Sequence, residues 1–462
     1  MSFSSDGELR VHVEGEAIPP FVYTYPPRSA YRPLSMPRSA QAIWATDLDY
    51  TPENDLNLYL HMPFCRYKCG FCNLYTITST SHSLYDAYVD AVCQELSAYA
   101  DVLQARKIRT VYFGGGTPSL LDVRHFERII RTLDRLHVDL SGVEEFCMEA
   151  SPDSLSGSDG YSFLKDLVAM GLNRINLGIE SLDGGELKHA GRNLAGVTVI
   201  RGAIDSVREA RVRNLSVDLI MGFLGQTDES WLSSVRGVLA FSPETISTYM
   251  LTIRPDAWFS RTGRYSYRRD PALYSRYDAA RELILSAGYR QESNVRFRTE
   301  NGGYLQKRLQ FSGVPVLGVG LGARTYTNTV DYLRNIPLHP SARAMQRYLG
   351  ARGGDIVVDY GFVYDDAERI RKRLVLDMFR LDVRRLLEQA EPNLRRECEV
   401  VLAEAVDLGL ATRDDGVVTL SSSGFKYRDI ISWQLFSDLV RRRDAEFYDD
   451  PKLLRPGGPS MR

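Results

Sequence analysis

Six strand-like apolar runs recur along this chain, each followed by a segment patterned as a helix. The runs are LNLYLHM (56–62), RTVYFGG (109–115), EEFCMEA (144–150), RINLGIE (174–180), LSVDLIM (215–221) and TISTYMLTI (245–253). Between them stand stretches such as YDAYVDAVCQELSAYADVL and HFERIIRTLDRL, whose apolar residues repeat at helical spacing. Strands that alternate with helices read as βαβ crossovers, and such crossovers make neighbouring strands run parallel. The chain is therefore α/β, and six units in series predict a sheet that curves into a partial (β/α)6 barrel of TIM-like plan. Ligands of such a fold sit at the C-terminal strand ends, where the βα loops converge.

The flanks have a different texture. Residues 1–55, rich in Pro, Tyr and Arg, read as an irregular N-terminal segment over the barrel. Its Tyr25, Arg28, Tyr31 and Arg32 fit a proline-rich strap or the mouth of a substrate site equally well. The barrel is assigned to 56–355 and a helical domain to 356–462. DAERIRKRLVLDMFRLDVRRLLEQ and RRECEVVLAEAVDLGLAT read as amphipathic helices, and Asp414–Asp415–Gly416 as the turn of a small wing. A wing of this kind does not by itself imply DNA.

The chain's 57 basic and 59 acidic residues leave no basic excess for nucleic acid. No apolar run approaches the roughly 18 residues of a membrane span. The start, MSFSSDGELRVHVEGE, is polar and acidic, unlike a signal peptide. These features predict a cytoplasmic monomer that binds neither nucleic acid nor membrane.

In a reducing compartment, clustered cysteines point to metal or catalysis. LHMPFCRYKCGFCNLYT (60–76) holds Cys65, Cys69 and Cys72, half of the chain's six cysteines. Three thiolates on one loop after a first strand suit a [4Fe–4S] cube with one iron left open. Structural zinc asks for four ligands, and there is no second CxxC pair; His61 is its nearest candidate, though a strand histidine is more often packed. A thioredoxin-like site uses one CxxC and leaves Cys65 idle. Cys93, Cys147 and Cys398 stand alone and read as small core residues. Asp218, inside an apolar strand, is costly to bury without a partner.

The cysteine loop resembles that of the radical S-adenosylmethionine (SAM) enzymes. The likeness continues through YLHMPFC, YFGGGTPSLL, MEASPDSL, GLNRINLGIESLDGGELKHAGR, SVDLIMGFLGQT and STYMLTIRP, covering roughly residues 56 to 440. In that order the blocks are similar to the branch of oxygen-independent coproporphyrinogen oxidase and its heme-chaperone relatives. The resemblance implies a [4Fe–4S] cluster on Cys65, Cys69 and Cys72, reduced by a donor such as flavodoxin or ferredoxin. It places SAM against Tyr59 and Phe71, on the backbone of Gly114, Gly115, Gly116 and Thr117, and on Glu149, Arg192 and Asp218.

Three departures stand out within that branch. Leu74 occupies the position of an extra cysteine in the oxidase. ENGGYL replaces the HNxxYW motif of the heme chaperone, with Glu300 for His and Leu305 for Trp. GFLGQT replaces GLPGQT. CGFCNLYT together with YTYPPRSAYRPL resembles instead the class C radical SAM methyltransferases and cyclopropanases of natural-product pathways. That likeness implies two SAM molecules, the second near Gly116 and Thr117. It also implies transfer of a methyl or methylene carbon to an sp² carbon of a heteroaromatic or peptide substrate. Glu180, where the relatives usually carry Gln, and Tyr249 are the candidates for a base.

Overall fold

The computed structural model describes residues 8–15, 21–192, 196–254, 257–261, 272–333, 342–351, 354 and 356–449. All six apolar runs are strands: β1 (Asp55–Met62), β2 (Lys107–Gly115), β3 (Glu145–Ala150), β4 (Arg174–Glu180), β5 (Asn214–Met221) and β6 (Thr245–Met250). They lie in chain order, each hydrogen-bonded in parallel to the next. Three further strands extend this sheet. β7 (Arg290–Gln291) and β8 (Arg296–Arg298) continue antiparallel beyond β6, and β9 (Val316–Val319) lies parallel to β1 at the other edge. Among the described residues β7 and β9 do not pair with each other, so the nine-stranded sheet is a partial barrel.

Side chains alternate across a strand, and this sheet uses both faces differently. Leu58 and Leu60 of β1, Ile175 and Leu177 of β4, and Leu215 and Val217 of β5 belong to the main hydrophobic core. The residues between them, such as Tyr59, Asn176 and Asp218, line cavities on the concave face. Strands that read as nearly continuous apolar runs therefore carry the site at alternate positions.

A second core gathers the flanks. Leu9 on helix Glu8–Glu14, with Val22, Tyr25 and Tyr31, packs against residues of Asp366–Leu376 and Pro392–Asp407. Strand Arg32–Ser39 pairs antiparallel with Val357–Val363, which pairs in turn with Val330–Leu333. The N-terminal segment is thus part of the C-terminal structure. Tyr25 and Tyr31 are fully buried and Arg32 pairs with Glu446 at 2.7 Å, so of the four mouth candidates only Arg28 reaches a cavity. The wing is present: Ala411–Asp414 and Val417–Leu420 join through Asp415 (φ 43°) and Gly416 (φ 84°), the two positive-φ residues of a tight hairpin. The boundary expected at residue 355, and the chain ends 1–7 and 450–462, lie outside the described residues. No described helix is long and apolar enough to cross a membrane.

Arg428 clips the flanks together. It is 1% exposed, and its guanidinium donates to the carbonyls of Val22 at 2.6 Å and Val375 at 2.8 Å. Without Arg428, Val375 O keeps the Ser432 hydroxyl at 3.1 Å, whereas the Val22 carbonyl loses this donor at a cost of about 1–3 kcal/mol. Arg428→Met should therefore loosen the N-terminal segment, and limited proteolysis should show faster cleavage within residues 8–31 than in the unaltered protein.

Candidate active site

Two cavities open on the concave face. One of about 230 Å³ lies under the cysteine loop, at the C-terminal strand ends. The other, of about 460 Å³, is within the range of small-molecule sites. Phe71, Cys72, Leu74, Glu149, Asn176 and Asp218 line both, and so form a shared wall.

The cysteine loop is held by backbone bonds. Gly70 N–H donates to Ala190 O at 2.9 Å, Phe259 N–H to Gly70 O at 2.9 Å, and Ser79 N–H to Cys65 O at 3.1 Å. Thr117 Oγ1 stands 3.7 Å from Cys65 Sγ, and Arg192 Nη1 3.6 Å from Cys69 Sγ. Burial pushes the Cys65 thiol up to about 12; it raises Cys69 as well, against the opposing pull of Arg192. Such thiols become thiolates when cationic iron supplies the missing charge. Among the described residues no three His, Cys, Asp or Glu side chains converge on a single ion. A cube suits this loop, because its irons take thiolates at separate corners.

The smaller cavity also carries charged groups with unmade hydrogen bonds. Asp218 Oδ2 accepts from Asn176 Nδ2 at 2.7 Å, while its Oδ1 is buried without a partner. Arg192 donates to Gly178 O at 2.7 Å and Glu180 Oε1 at 3.1 Å, leaving its Nε buried and unpartnered. An unmade bond on a buried ionic group is costly, and a ribose hydroxyl or a carboxylate would complete each.

The glycine turn after β2 lines the smaller cavity with Gly115, Gly116 and Thr117 and is also tied to the β1 loop. Gly116 N–H donates to Met62 O at 2.8 Å and Thr117 N–H to Phe64 O at 2.7 Å. A Cβ on Gly116 would stand 2.4 Å from Phe64 O, so glycine here permits contact with the β1 loop. Glu149 accepts from Gly115 N–H at 2.8 Å and from Tyr112 O–H at 2.9 Å, and so braces the same turn. Gly114 packs beneath Tyr59, Tyr112 and Glu149.

Tyr59 lines only the larger cavity, its ring stacked on Tyr112 at 5.8 Å and its hydroxyl bonded to His61 Nδ1 at 3.1 Å. The two candidate bases are kept apart. Glu180, pushed up to about 7 by burial, lines the smaller cavity; Tyr249, pushed up to about 12 by burial, lines the larger. The larger cavity adds residues that the sequence reading left unassigned, chiefly Arg174, Arg296, Tyr304, Lys307 and Arg324. Only Arg174 had a visible signal, a charge at an inward position of a strand.

Residues 59–236 match the family described as the Radical SAM superfamily. The heme chaperone HemW of Lactococcus lactis is 27% identical over 289 residues, 62% of this chain and 73% of that protein. The heme chaperone HemW of Bacillus subtilis is 25% identical over 380 residues, 79% of this chain and 95% of its own length. Among solved structures, coproporphyrinogen III oxidase (HemN) of Escherichia coli, described as a radical SAM enzyme, superposes with a TM-score of 0.71. It is 20% identical and covers 86% of this chain and 93% of its own. These relatives overturn the class C methyltransferase reading. The CGFCNLYT and YTYPPRSAYRPL likeness rested on short stretches, whereas the chaperone and oxidase matches run across most of the chain. The second SAM, inferred from the methyltransferase reading, loses its support with it.

Anaerobic reconstitution followed by iron and sulfide counting should find that Cys65→Ala, Cys69→Ala and Cys72→Ala each lose the cluster, while Cys147→Ala and Cys398→Ala keep it. Asp218→Asn and Arg192→Ala should keep their iron and bind SAM more weakly. Losing a charge-assisted bond of about 1.5–3 kcal/mol lowers affinity roughly tenfold to a hundredfold, measurable as the SAM concentration that half-saturates reductive cleavage.

Proposed function

The chain belongs to the radical SAM superfamily, on the branch of the heme chaperones and coproporphyrinogen oxidase, and we propose that it takes a carboxylate-bearing tetrapyrrole into its larger cavity beside a SAM held in the smaller one. The names of its relatives supply the ligand class. The observation that carries the reading is the charge of the larger cavity. Arg28, Arg174, Arg254, Arg296, Lys307 and Arg324 line it, against the carboxylates Glu149, Asp218 and Asp444. Five guanidinium groups and the Lys307 amine against three acids make a site for an anion. Its walls suit a flat ring: Tyr59, Tyr112 and Tyr304 stack in series at 5.8 Å and 5.4 Å, and Arg174 lies 4.3 Å over Tyr304.

A metal-free ring fits this cavity better than heme iron held by histidine. His61 is the one histidine among the described residues that line it, and both of its nitrogens are engaged. Nε2 meets Tyr75 O at 2.8 Å and Nδ1 meets the Tyr59 hydroxyl at 3.1 Å. Burial pushes the imidazole down to about 4, so it is neutral and holds these two bonds near pH 7. Leu305, at the position of the chaperone Trp, gives its N–H to Glu145 at 2.8 Å and starts helix Leu305–Phe311.

When bound, the cluster and SAM supply one-electron chemistry, with flavodoxin or ferredoxin as the proposed electron source. Arg192 and Asp218 hold SAM, the shared wall at Phe71 and Asn176 sets it against the ring, and the cations of the larger cavity orient the ring's carboxylates. Fluorescence titration with coproporphyrin III should saturate at one ligand per chain. A heme complex with a Soret band typical of protein ligation, together with no binding of coproporphyrin III, would replace this reading with heme carriage. Binding of neither would remove the tetrapyrrole altogether.

A further inference from the structure

One end of the larger cavity holds basic groups that no acid answers. Lys307, on helix Leu305–Phe311, is 4% exposed. Its Nζ donates to Gln310 Oε1 at 2.9 Å and lies 3.2 Å from the centre of the Tyr23 ring. The charged groups that act on it come from three other elements: Arg296 on β8, Arg324 on strand Arg324–Thr325 and Arg428 on helix Arg428–Gln434. All are positive. Arg296 and Arg428 have acids of their own, Glu292 at 3.5 Å and Asp429 at 3.0 Å. Lys307 and Arg324 form no ion pair with any described residue. Arg324 instead faces the phenols of Tyr326, Tyr31 and Tyr23.

We propose that Lys307 and Arg324 form a carboxylate subsite that anchors one acidic arm of the ligand at this end of the cavity. A buried lysine without a counterion is costly to keep, and a hydrogen bond to Gln310 with a ring contact to Tyr23 leaves its charge unanswered. Arg324 adds the planar fork that pairs with a carboxylate through two bonds. A physical consequence follows. Burial and the three neighbouring guanidinium groups push Lys307 well below the ordinary lysine value, which weakens its hold on a proton in the empty site. An incoming carboxylate reverses that balance, and the amine takes up a proton as the ligand binds. The proposal rests on the tetrapyrrole reading only for the identity of the ligand; the subsite itself asks for a carboxylate.

Calorimetric titration of the reconstituted protein with coproporphyrin III, in two buffers of different ionisation enthalpy, reads the protons taken up. Across a pH series, the unaltered protein should take up protons as the ligand binds, in a window that Lys307→Met does not show. Lys307→Met should take up none and bind about tenfold more weakly, and Arg324→Gln should weaken binding while retaining the uptake. Coproporphyrin tetramethyl ester, which has no free carboxylate, should not distinguish Lys307→Met from the unaltered protein. Unchanged affinity for the acid in Lys307→Met, or persistent uptake, overturns the subsite. An independent arm labels neutral amines with acetic anhydride and follows Lys307 by mass spectrometry, with benzene-1,3,5-tricarboxylate as the probe. Protection by the tricarboxylate without coproporphyrin binding supports the subsite and overturns the tetrapyrrole. Coproporphyrin binding that both variants leave unchanged does the reverse, and neither protection nor binding overturns both.

Discussion

The close approach of two loops at the top of β1 and β2 holds the site together. Gly116 and Thr117 give their N–H groups to Met62 and Phe64, and the space left at Gly116 admits no side chain. This contact fixes the chain that enters the cysteine loop just before Cys65, and it brings Thr117 Oγ1 to the sulfur. Glu149 then ties β3 to the same turn through Gly115. Three successive strands thus share one hydrogen-bonded junction, and the placement of a thiol ligand depends on backbone geometry rather than on side-chain packing. Backbone bonds of this kind are short and directional, which is what a cluster with separate ligand corners requires.

Charge is divided between the two cavities in a way that suits different ligands. The smaller holds Glu149, Asp153, Glu180 and Asp218 with Arg66, Lys68 and Arg192, a mixed set able to meet a zwitterion with a ribose. The larger is lined by more basic groups than acidic ones. A sulfonium and a polycarboxylate placed in these neighbouring cavities would each meet the sign that it needs. The shared wall at Asp218 and Glu149 stands between them, and burial raises both of its acids.

The sequence revealed the fold wherever periodicity was strong. All six apolar runs became parallel strands in chain order, because a strand buried on both faces reads as an apolar run and a crossover allows few arrangements. The same pattern carried a second message at Tyr59, Asn176 and Asp218, where a polar residue interrupts an apolar strand at an inward position. Asp218 was noticed for its cost, and Asn176, its hydrogen-bond partner, was not. The N-terminal segment reads as irregular because its prolines hide a strand whose partner, Val357–Val363, is some three hundred residues away in sequence. Pairing at that separation leaves no local signal.

The division of labour along the chain explains why the chemistry was easier to read than the substrate. Residues 59–236, which match the radical SAM family, contain the cysteine loop, the glycine turn, Glu149, Arg192 and Asp218. The basic end of the larger cavity comes from elsewhere: Tyr23 from the N-terminal segment, Arg296 from β8, Lys307 from a short helix and Arg324 from a two-residue strand. None of these elements is long enough to show a period, and they meet only because the second core folds the N-terminal segment onto the C-terminal helices. A family pattern records the residues that any radical chemistry must keep in register. Which anion the protein accepts is decided by side chains from separate elements, and a change at Lys307 or Arg324 alters that choice without touching the cysteine loop.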